Sequence, residues 1–482
     1  MGAQLRLAGP VVAAQLGLMA MGLVDTLFVG HLPAGAGVQV ALSATALGNT
    51  LFFVVVAFCF GVLAALDPVL SQARGAGDHR GFSLGLQRGF LLALVLTIFA
   101  SLPLAFAPSL LRLAEQPDEV VPLAAAYARI AIPSMPAFLG FVVLRQALQT
   151  LGRLRPVLVV VFAANILNAF LDWMWIHGNL GFESHGVIGA SWASTASRWF
   201  MFGGLVWIAK PVLWPRLMPL SRDAFRARPF GRLLRLGVPI GLQNELEFTA
   251  FAIVAIMMGW IGVREQSAHM LALQVASLTF MVPLGVGVAA SVRVGLHVGA
   301  GRFADVRRSA AVALSIGVGF MAASALVLWF APRSIAGLFT ADQELVLFTA
   351  SLLPLAAAFQ LFDGAQVVAL GLLRGVGDTI VPMAINLVGY WAIGFPVGYH
   401  LAFGVGMGAH GLWWGLVAGL ASVALLLGWR VHRRFARDLA RIDLDRAAPA
   451  APVEPGIGSG PSGGLDLQER PLGTLPRDDG PP

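Results

Sequence analysis

Apolar residues fill twelve stretches of about 20 residues or more, with Gly, Pro and charged residues between them. Because a helix rises about 1.5 Å per residue, about 20 apolar residues cross the hydrocarbon core of a bilayer. The pattern therefore predicts an all-α polytopic membrane protein with twelve transmembrane helices. The predicted spans lie near residues 10–32, 40–66, 86–110, 122–148, 156–178, 186–208, 236–261, 267–292, 308–331, 346–372, 382–403 and 408–430.

Arginine is unevenly divided between the two sets of connections. The connections after even-numbered spans hold most of the arginines, among them Arg74, Arg153, Arg226 and Arg302, whereas those after odd-numbered spans are richer in acids such as Asp118. Basic residues concentrate on the cytoplasmic side of membrane proteins. The chain is therefore predicted to have both termini in the cytoplasm.

Weak internal similarity divides the chain into two halves. Pro10 and Pro239 open the first span of each half, and Gly-Ala-Gly follows Arg74 in one half and Val298 in the other. Two halves of six helices with the same orientation predict a pseudo-two-fold axis along the membrane normal and a transport cavity between the lobes. The predicted units are an N-lobe at 1–209, a basic cytoplasmic loop at 210–235, a C-lobe at 236–432 and a disordered cytoplasmic tail at 433–482.

Composition removes several classes of function. The chain is 57% hydrophobic and 12% charged, which excludes a soluble globular domain, and its net charge of +7 lies in short loops where it reports topology, not nucleic-acid binding. Cys59 is the single cysteine, so no disulfide framework is expected. No phosphate-binding loop, nucleophile elbow or zinc motif is present, which favours an ion gradient over ATP as energy source and argues against an enzyme.

Polar side chains within the N-lobe spans share a predicted depth. Asn165, Asn168 and Asp172 lie at i, i+3 and i+7 of the fifth span and so share one face. Asp25 of the first span, Asp172 and Thr195 of the sixth all fall in the outer part of the membrane. Asp25, Asn168, Asp172 and Thr195 therefore form a candidate site for Na⁺ or a proton, because carboxylate and amide oxygens bind hard cations and paired carboxylates retain a proton. A polar network that only packs helices is the alternative.

Two pairs of polar residues in the C-lobe lie nearer the middle of the membrane. Asn244 and Glu247 share a face of the seventh span, and Asp363 and Gln366 share a face of the tenth. An unpaired buried carboxylate is costly, so both pairs are predicted to face a water-accessible cavity. Aromatic residues facing that cavity would suit planar organic cations. They are drawn from a set that includes Phe248, Phe251, Phe280, Tyr390 and Trp391.

Several segments together resemble one family of transporters. They include VDTLFVGHL in the first span, SQARGAG after the second, NILNAFLD in the fifth, GVIGASWAST in the sixth and FDGAQVVALGLLRGVGDTIVPM around the tenth. This combination is similar to the multidrug and toxic compound extrusion (MATE) family, and Glu247 and Asp363 beside Asp25 look most like its bacterial NorM-like branch.

The resemblance implies export of amphipathic, often cationic compounds across the bacterial inner membrane, in antiport with Na⁺ or H⁺ and by alternating access. It implies that Asp25, Asn168, Asp172 and Thr195 form the N-lobe cation site. Glu247 and Asp363 are then tied to coupling or to the substrate, with Asn244 and Gln366 beside them, and Pro10 is a point at which the first helix bends. No cofactor other than the coupling ion is expected, the partners are small molecules and lipid, and the protein is expected to be a monomer.

Two other functions remain open at this point. A lipid-linked precursor flippase of the related superfamily would need a basic cavity for a pyrophosphate, whereas the chain predicts acids there. An intramembrane enzyme would need a catalytic pair at one depth, which Asp25 and Asp172 resemble.

Overall fold

Helices make up the bundle. The structure, a computed structural model, describes residues 2–32, 37–437 and 439–445, and no β-strand occurs among them. The α-helices are α1 (Gly2–Gly30), α2 (Val38–Leu63), α3 (Leu66–Gly75), α4 (His79–Ala105), α5 (Ala107–Leu113), α6 (Val121–Ile130), α7 (Met135–Thr150), α8 (Arg155–Trp175), α9 (Gly186–Leu217), α10 (Ala227–Ile261), α11 (Val263–Gly299), α12 (Phe303–Phe330), α13 (Pro332–Ala336), α14 (Gln343–Gly375), α15 (Ile380–Leu387), α16 (Phe395–Tyr399) and α17 (Ala409–Phe435).

Twelve crossings of the membrane account for these helices. Eleven helical stretches among the described residues are long and apolar enough to span a bilayer. Three crossings are composite: α2 continues into α3, α6 into α7, and α15 into α16 through π-helical turns at Val388–Gly394 and His400–Gly404. The remaining long helix, α9, has 32 residues and a polar cluster around Arg198. The predicted twelve-helix, two-lobe fold is confirmed.

The connection between the two halves differs from the sequence expectation. Residues 210–235 were expected to form a loop, but α9 extends to Leu217 and α10 begins at Ala227, which leaves a short connection with one 3₁₀ turn. Trp207 and Trp214 near the end of α9 are exposed, as is typical of aromatic residues at a membrane interface. Helix α9 therefore continues through the interface, because its aromatic and basic residues suit that environment in helical form.

The segment 439–444 differs as well, because it packs against the bundle. Leu439 is buried in the core of the second half, and Leu444 in that of the first. The Ile442 N–H donates to Gln72 Oε1 at 2.6 Å, and Arg441 forms an ion pair with Asp78. The rest of the predicted tail, from residue 446 on, lies outside the described residues.

The halves meet through equivalent helices. Helix α2 packs against α10, α3 against α11, and α1 against α11, while α8 and α9 pack within the first half and α11, α14 and α17 within the second. We call the end of the bundle at which α3, α7, α9, α11, α14 and α17 finish the arginine-rich end. A pseudo-two-fold axis that exchanges the halves also exchanges the α2–α10 pair with the α1–α11 pair.

Glycines bring the halves into backbone contact towards the arginine-rich end. A Cβ atom on Gly75 would lie 2.1 Å from the Leu296 carbonyl oxygen, and one on Gly299 would lie 2.0 Å from the Gln72 carbonyl oxygen. Gln72 Nε2 also donates to the Gly375 carbonyl of the other half at 2.9 Å. No side chain larger than hydrogen fits at these glycines, so the two halves close tightly at this end.

We expect Gly75→Ala to open the arginine-rich end. The added methyl group has no room, and overpacking of about 1–3 kcal/mol lowers the population of the closed state relative to open states by roughly five- to hundredfold. Spin labels at Ala76 and Phe303 in a Cys59→Ala background should report longer distances by double electron–electron resonance. Gly203→Ala is the control, since nothing lies within 4 Å of a Cβ there, and unchanged distances in Gly75→Ala would contradict the packing argument.

Candidate functional sites

Asp25 on α1 lies at the centre of a hydrogen-bonded cluster in the first half. It is fully buried, its Oδ1 accepts a hydrogen bond from Asn168 Nδ2 at 3.0 Å, and its Oδ2 accepts one from Ser194 Oγ at 2.6 Å. The Tyr127 hydroxyl lies 3.3 Å from the same Oδ2. Four helices, α1, α6, α8 and α9, thus converge on one carboxylate.

Asp172 supplies unpartnered oxygens beside Asp25. It lies one turn after Asn168 on α8 and is fully buried, with its carboxyl group adjacent to that of Asp25. Neither Asp172 carboxyl oxygen has a hydrogen-bond partner among the described residues, and the same holds for Asn168 Oδ1. Buried oxygens are rarely left unsatisfied. Here they form the donor set that a hard cation prefers, and two adjacent carboxyl groups can also share a proton.

The sixth span offers Ser194, not Thr195, to Asp25. The Thr195 hydroxyl donates to the Ile130 carbonyl at 3.0 Å, and Ser194 one position earlier makes the contact with the carboxylate. Successive residues of a helix differ by about 100° in direction. The depth of the site was therefore readable from the sequence, whereas the rotation of α9 was not.

Tyr127, Asn49 and Arg198 complete the surroundings and were not among the predicted site residues. The Tyr127 hydroxyl also lies 3.1 Å from Asn49 Oδ1. Arg198 is buried, donates to Ser134 Oγ at 3.0 Å and stacks on the Phe52 ring at 3.8 Å, close enough to attract Asp25. A buried positive charge near the Asp25 carboxylate offsets part of the cost of ionising it.

The predicted C-lobe residues also come together. Glu247 Oε1 accepts hydrogen bonds from Gln366 Nε2 and from the Tyr390 hydroxyl, each at 3.3 Å. Asp363, one turn before Gln366 on α14, is close enough to repel Glu247 and makes no hydrogen bond to a described residue. Tyr390 comes from the π-helical turn Val388–Gly394, and π-helical turns are frequent at functional sites.

A cavity of about 300 Å³ lies beside Glu247 in the second half, with Ala57 of the first half in its wall. Its walls include the aromatic rings of Phe248, Phe251 and Phe280 together with Asn244, whose Nδ2 donates to the Ala57 carbonyl of the first half at 3.2 Å. The cavity lies beyond the glycine contacts, on the side away from the arginine-rich end. The cavity is thus closed towards that end.

Arg374 also lines this cavity, and Asp67 from the first half is close enough to attract it. Asp67 is buried and Arg374 is half-buried. We expected acidic residues in the cavity, and Glu247 is the one acidic residue among those that line it. Arg374 is the one basic residue in the same lining.

Pro10 lies within α1, which continues through it from Gly2 to Gly30. A proline leaves the carbonyl four residues earlier without its helical hydrogen bond. Close by, a Cβ on Gly285 would overlap Val12, and Gln4 Nε2 donates to the Val286 carbonyl at 3.3 Å. Helix α1 therefore carries Asp25 and also contacts the other half, and its helical hydrogen bonding is weakened near Pro10.

Comparison with known proteins assigns this architecture to a family. The MatE family model matches residues 10–174 and again residues 239–400, once in each half and over more than half of the chain. The chain belongs to the MatE family.

Curated relatives of this MatE-family chain cover nearly its whole length. It is 40% identical to the probable multidrug resistance protein NorM of Burkholderia mallei over 91% of this chain and 94% of the relative. It is 39% identical to the multidrug resistance protein NorM of Burkholderia vietnamiensis, over 89% of this chain and 92% of that protein.

Solved structures share the fold of this MatE-family chain. The crystal structure of the eukaryotic MATE transporter AtDTX14 is similar with a TM-score of 0.80 at 24% identity, covering 89% of this chain and 94% of that one. A crystal structure titled MATE in the straight conformation gives 0.81 at 20% identity, covering 90% and 96%. These likenesses support the two-lobe helical architecture.

We expect Ser194→Ala to change proton binding more than Thr195→Val. The Ser194 hydroxyl stabilises the ionised Asp25 carboxylate, and a hydrogen bond to a buried charged group contributes roughly 1.5–3 kcal/mol, so its loss should raise the affinity of the site for a proton about tenfold or more. Thr195→Val removes a hydroxyl bonded to the backbone and should change that affinity by less than about twofold. Proton uptake by the purified protein as a function of pH measures this, and an equal or larger change in Thr195→Val would contradict the observed helix rotation.

Proposed function

We propose that this MatE-family chain exports amphipathic organic cations and other toxic small molecules from the cytoplasm in antiport with Na⁺ or H⁺. The transporter works by alternating access as a monomer in the bacterial inner membrane, with the arginine-rich end and both termini in the cytoplasm. The supporting observation is a pair of separate carboxylate sites within the bundle, one in each half: the Asp25 site is fully buried, and the Glu247 site borders a cavity. Relatives named multidrug resistance protein NorM support this function.

The cavity supplies the chemistry for a planar cation. Three phenylalanine rings offer stacking surfaces, and each cation–π contact contributes about 0.5–2 kcal/mol. Glu247 supplies a charge whose Oε1 is oriented by Tyr390 and Gln366. A lipid-linked pyrophosphate would need several cations instead, and Arg374 is the one basic residue that the structure places in this lining.

The Asp25 site provides the coupling. The site binds Na⁺ at the unpartnered oxygens of Asp172 and Asn168, or a proton shared by Asp25 and Asp172. Either ion changes the charge at one end of α1, and the contacts of α1 with the other half lie towards its opposite end. Bending of α1 near Pro10 would then disturb the Val12 and Gln4 contacts with α11. Antiport requires that the ion and the substrate favour different arrangements of the halves.

Glu247 and Asp363 have a second role open to them. Asp363 lies close to Glu247 without a hydrogen bond to a described residue, so this pair can bind either the substrate cation or a coupling ion. The closed arginine-rich end corresponds to the outward-facing state, in which substrate leaves and the coupling ion enters.

The test is ethidium efflux by the full-length protein in proteoliposomes with a Na⁺ or an H⁺ gradient imposed separately. We expect one gradient to drive efflux, Asp25→Asn to lower the coupled rate at least about a hundredfold, and Glu247→Gln to raise the half-saturating ethidium concentration about tenfold. Asp118→Asn, which changes an exposed loop carboxylate, should behave like the wild type.

Two results would contradict the proposal. One is that correctly inserted wild type moves no cationic dye under either gradient. The other is that Asp25→Asn retains full coupled efflux, which would separate the buried N-lobe carboxylate from coupling even if the chain transports drugs.

A further inference from the structure

A second cavity, of about 350 Å³, lies at the arginine-rich end of the first half. Three parts of the chain meet there: the end of α3 with Arg74, the turn after α7 with Arg153, and the end of α9 with Arg216. All three guanidinium groups border the cavity. They are close enough that Arg153 and Arg216 both repel Arg74.

Two of these guanidinium groups are fixed in place with donors to spare. Arg74 donates to the Thr150 carbonyl, and Arg216 donates to the Val212 carbonyl and lies 6.0 Å from the Phe82 ring. A guanidinium has five N–H donors, so each of these residues retains several. Among the described residues none of the three arginines forms an ion pair.

The acidic residue at the cavity is engaged elsewhere. Asp78 forms an ion pair with Arg441 and accepts a hydrogen bond from the Gly81 N–H at 2.7 Å. Partial burial raises the pKa of Asp78, but the Gly81 N–H and Arg441 outweigh it and hold that pKa below its usual value. Its charge is thus compensated by Arg441, and the three arginines are left without a counter-charge.

The general excess of arginine on this side does not account for the cluster. The repeat places Val298 of the second half where the first has Arg74, and Asp378 where the first has Arg153. Asp378 forms an ion pair with Arg430 at 2.7 Å. Two of the three arginine positions are therefore not basic in the second half, and Asp378 there is paired with an arginine.

The cavity lies at the level of the lipid headgroups. Helix α9 carries the exposed Trp207 and Trp214 near the cavity, and Lys210 Nζ lies 5.9 Å from the Trp214 ring. Tryptophan and basic residues mark the membrane interface. Arginine forms paired, charge-assisted hydrogen bonds with phosphate oxygens.

We propose that this cavity binds a phosphate group through Arg74, Arg153 and Arg216, supplied by the headgroup of an anionic lipid of the surrounding leaflet. The bound phosphate replaces the missing counter-charge and joins the ends of α3, α7 and α9 at the cytoplasmic face. Free inorganic phosphate presents the same chemistry and is the alternative source. This site is distinct from the transport cavity and does not depend on the proposed drug export.

The experiment measures binding to the purified full-length protein by isothermal titration calorimetry. The probes are short-chain phosphatidylglycerol, short-chain phosphatidylcholine and inorganic phosphate. We expect saturable binding of phosphatidylglycerol at one site, with phosphatidylcholine at least about tenfold weaker and Arg153→Ala/Arg216→Ala weakening phosphatidylglycerol at least about tenfold, as loss of charge-assisted hydrogen bonds implies. The matched control is Arg228→Ala/Arg308→Ala, which removes two exposed arginines that do not line the cavity.

Each outcome decides the proposal. Tighter binding of phosphatidylglycerol than of inorganic phosphate supports a lipid source, and equal binding of the two supports the site with a soluble ligand. Absence of saturable binding, or an equal loss in the control pair, would overturn it. If the double variant unfolds, Arg153→Gln serves instead, because the Arg153 side chain is exposed and makes no hydrogen bond to a described residue.

Discussion

A carboxylate within the hydrocarbon region of a membrane must be paired, hydrogen-bonded or neutralised, because its desolvation is costly. Asp25 meets this constraint by drawing Asn168, Ser194 and Tyr127 from three other helices. Hydrogen bonds to that single group link α1 to α6, α8 and α9. Asp172 stays beside it without a hydrogen-bond partner among the described residues, which leaves the pair sensitive to the arrival of a cation or proton.

The second half solves the same problem differently. Glu247 is held by Gln366 and Tyr390 at the edge of a cavity, and Asp363 lies close by. One half therefore has an enclosed carboxylate pair, and the other has a carboxylate that borders open space. The glycine contacts at the arginine-rich end, with Gln72 bound to Gly375, bring the two halves into close contact there. The asymmetry of the two carboxylate sites supports the proposal that an ion and a substrate bind at different places in one molecule.

Helical periodicity predicted much of this site and failed where rotation or distance in the chain mattered. The spacing of Asn168 and Asp172 and the depth of Asp25 were enough to bring those three residues together. Whether Ser194 or Thr195 faces Asp25 depends on the rotation of α9 against its neighbours. The local sequence of α9 does not determine that rotation. Tyr127 lies in a broken crossing, α6 and α7, with no periodic polar signal. Packing of Leu439 and Leu444 against the two halves depends on grooves formed only after folding.

We propose that cation occupancy and drug binding oppose each other through the two halves. The most direct test is the dissociation constant of ethidium for the purified full-length protein, measured across a series of Na⁺ concentrations and pH values. Saturation with the coupling ion should raise that constant by about 5- to 150-fold, and ethidium should raise the dissociation constant of the ion by the same factor, as linkage requires. An ethidium affinity that stays constant while the ion demonstrably binds would contradict the account.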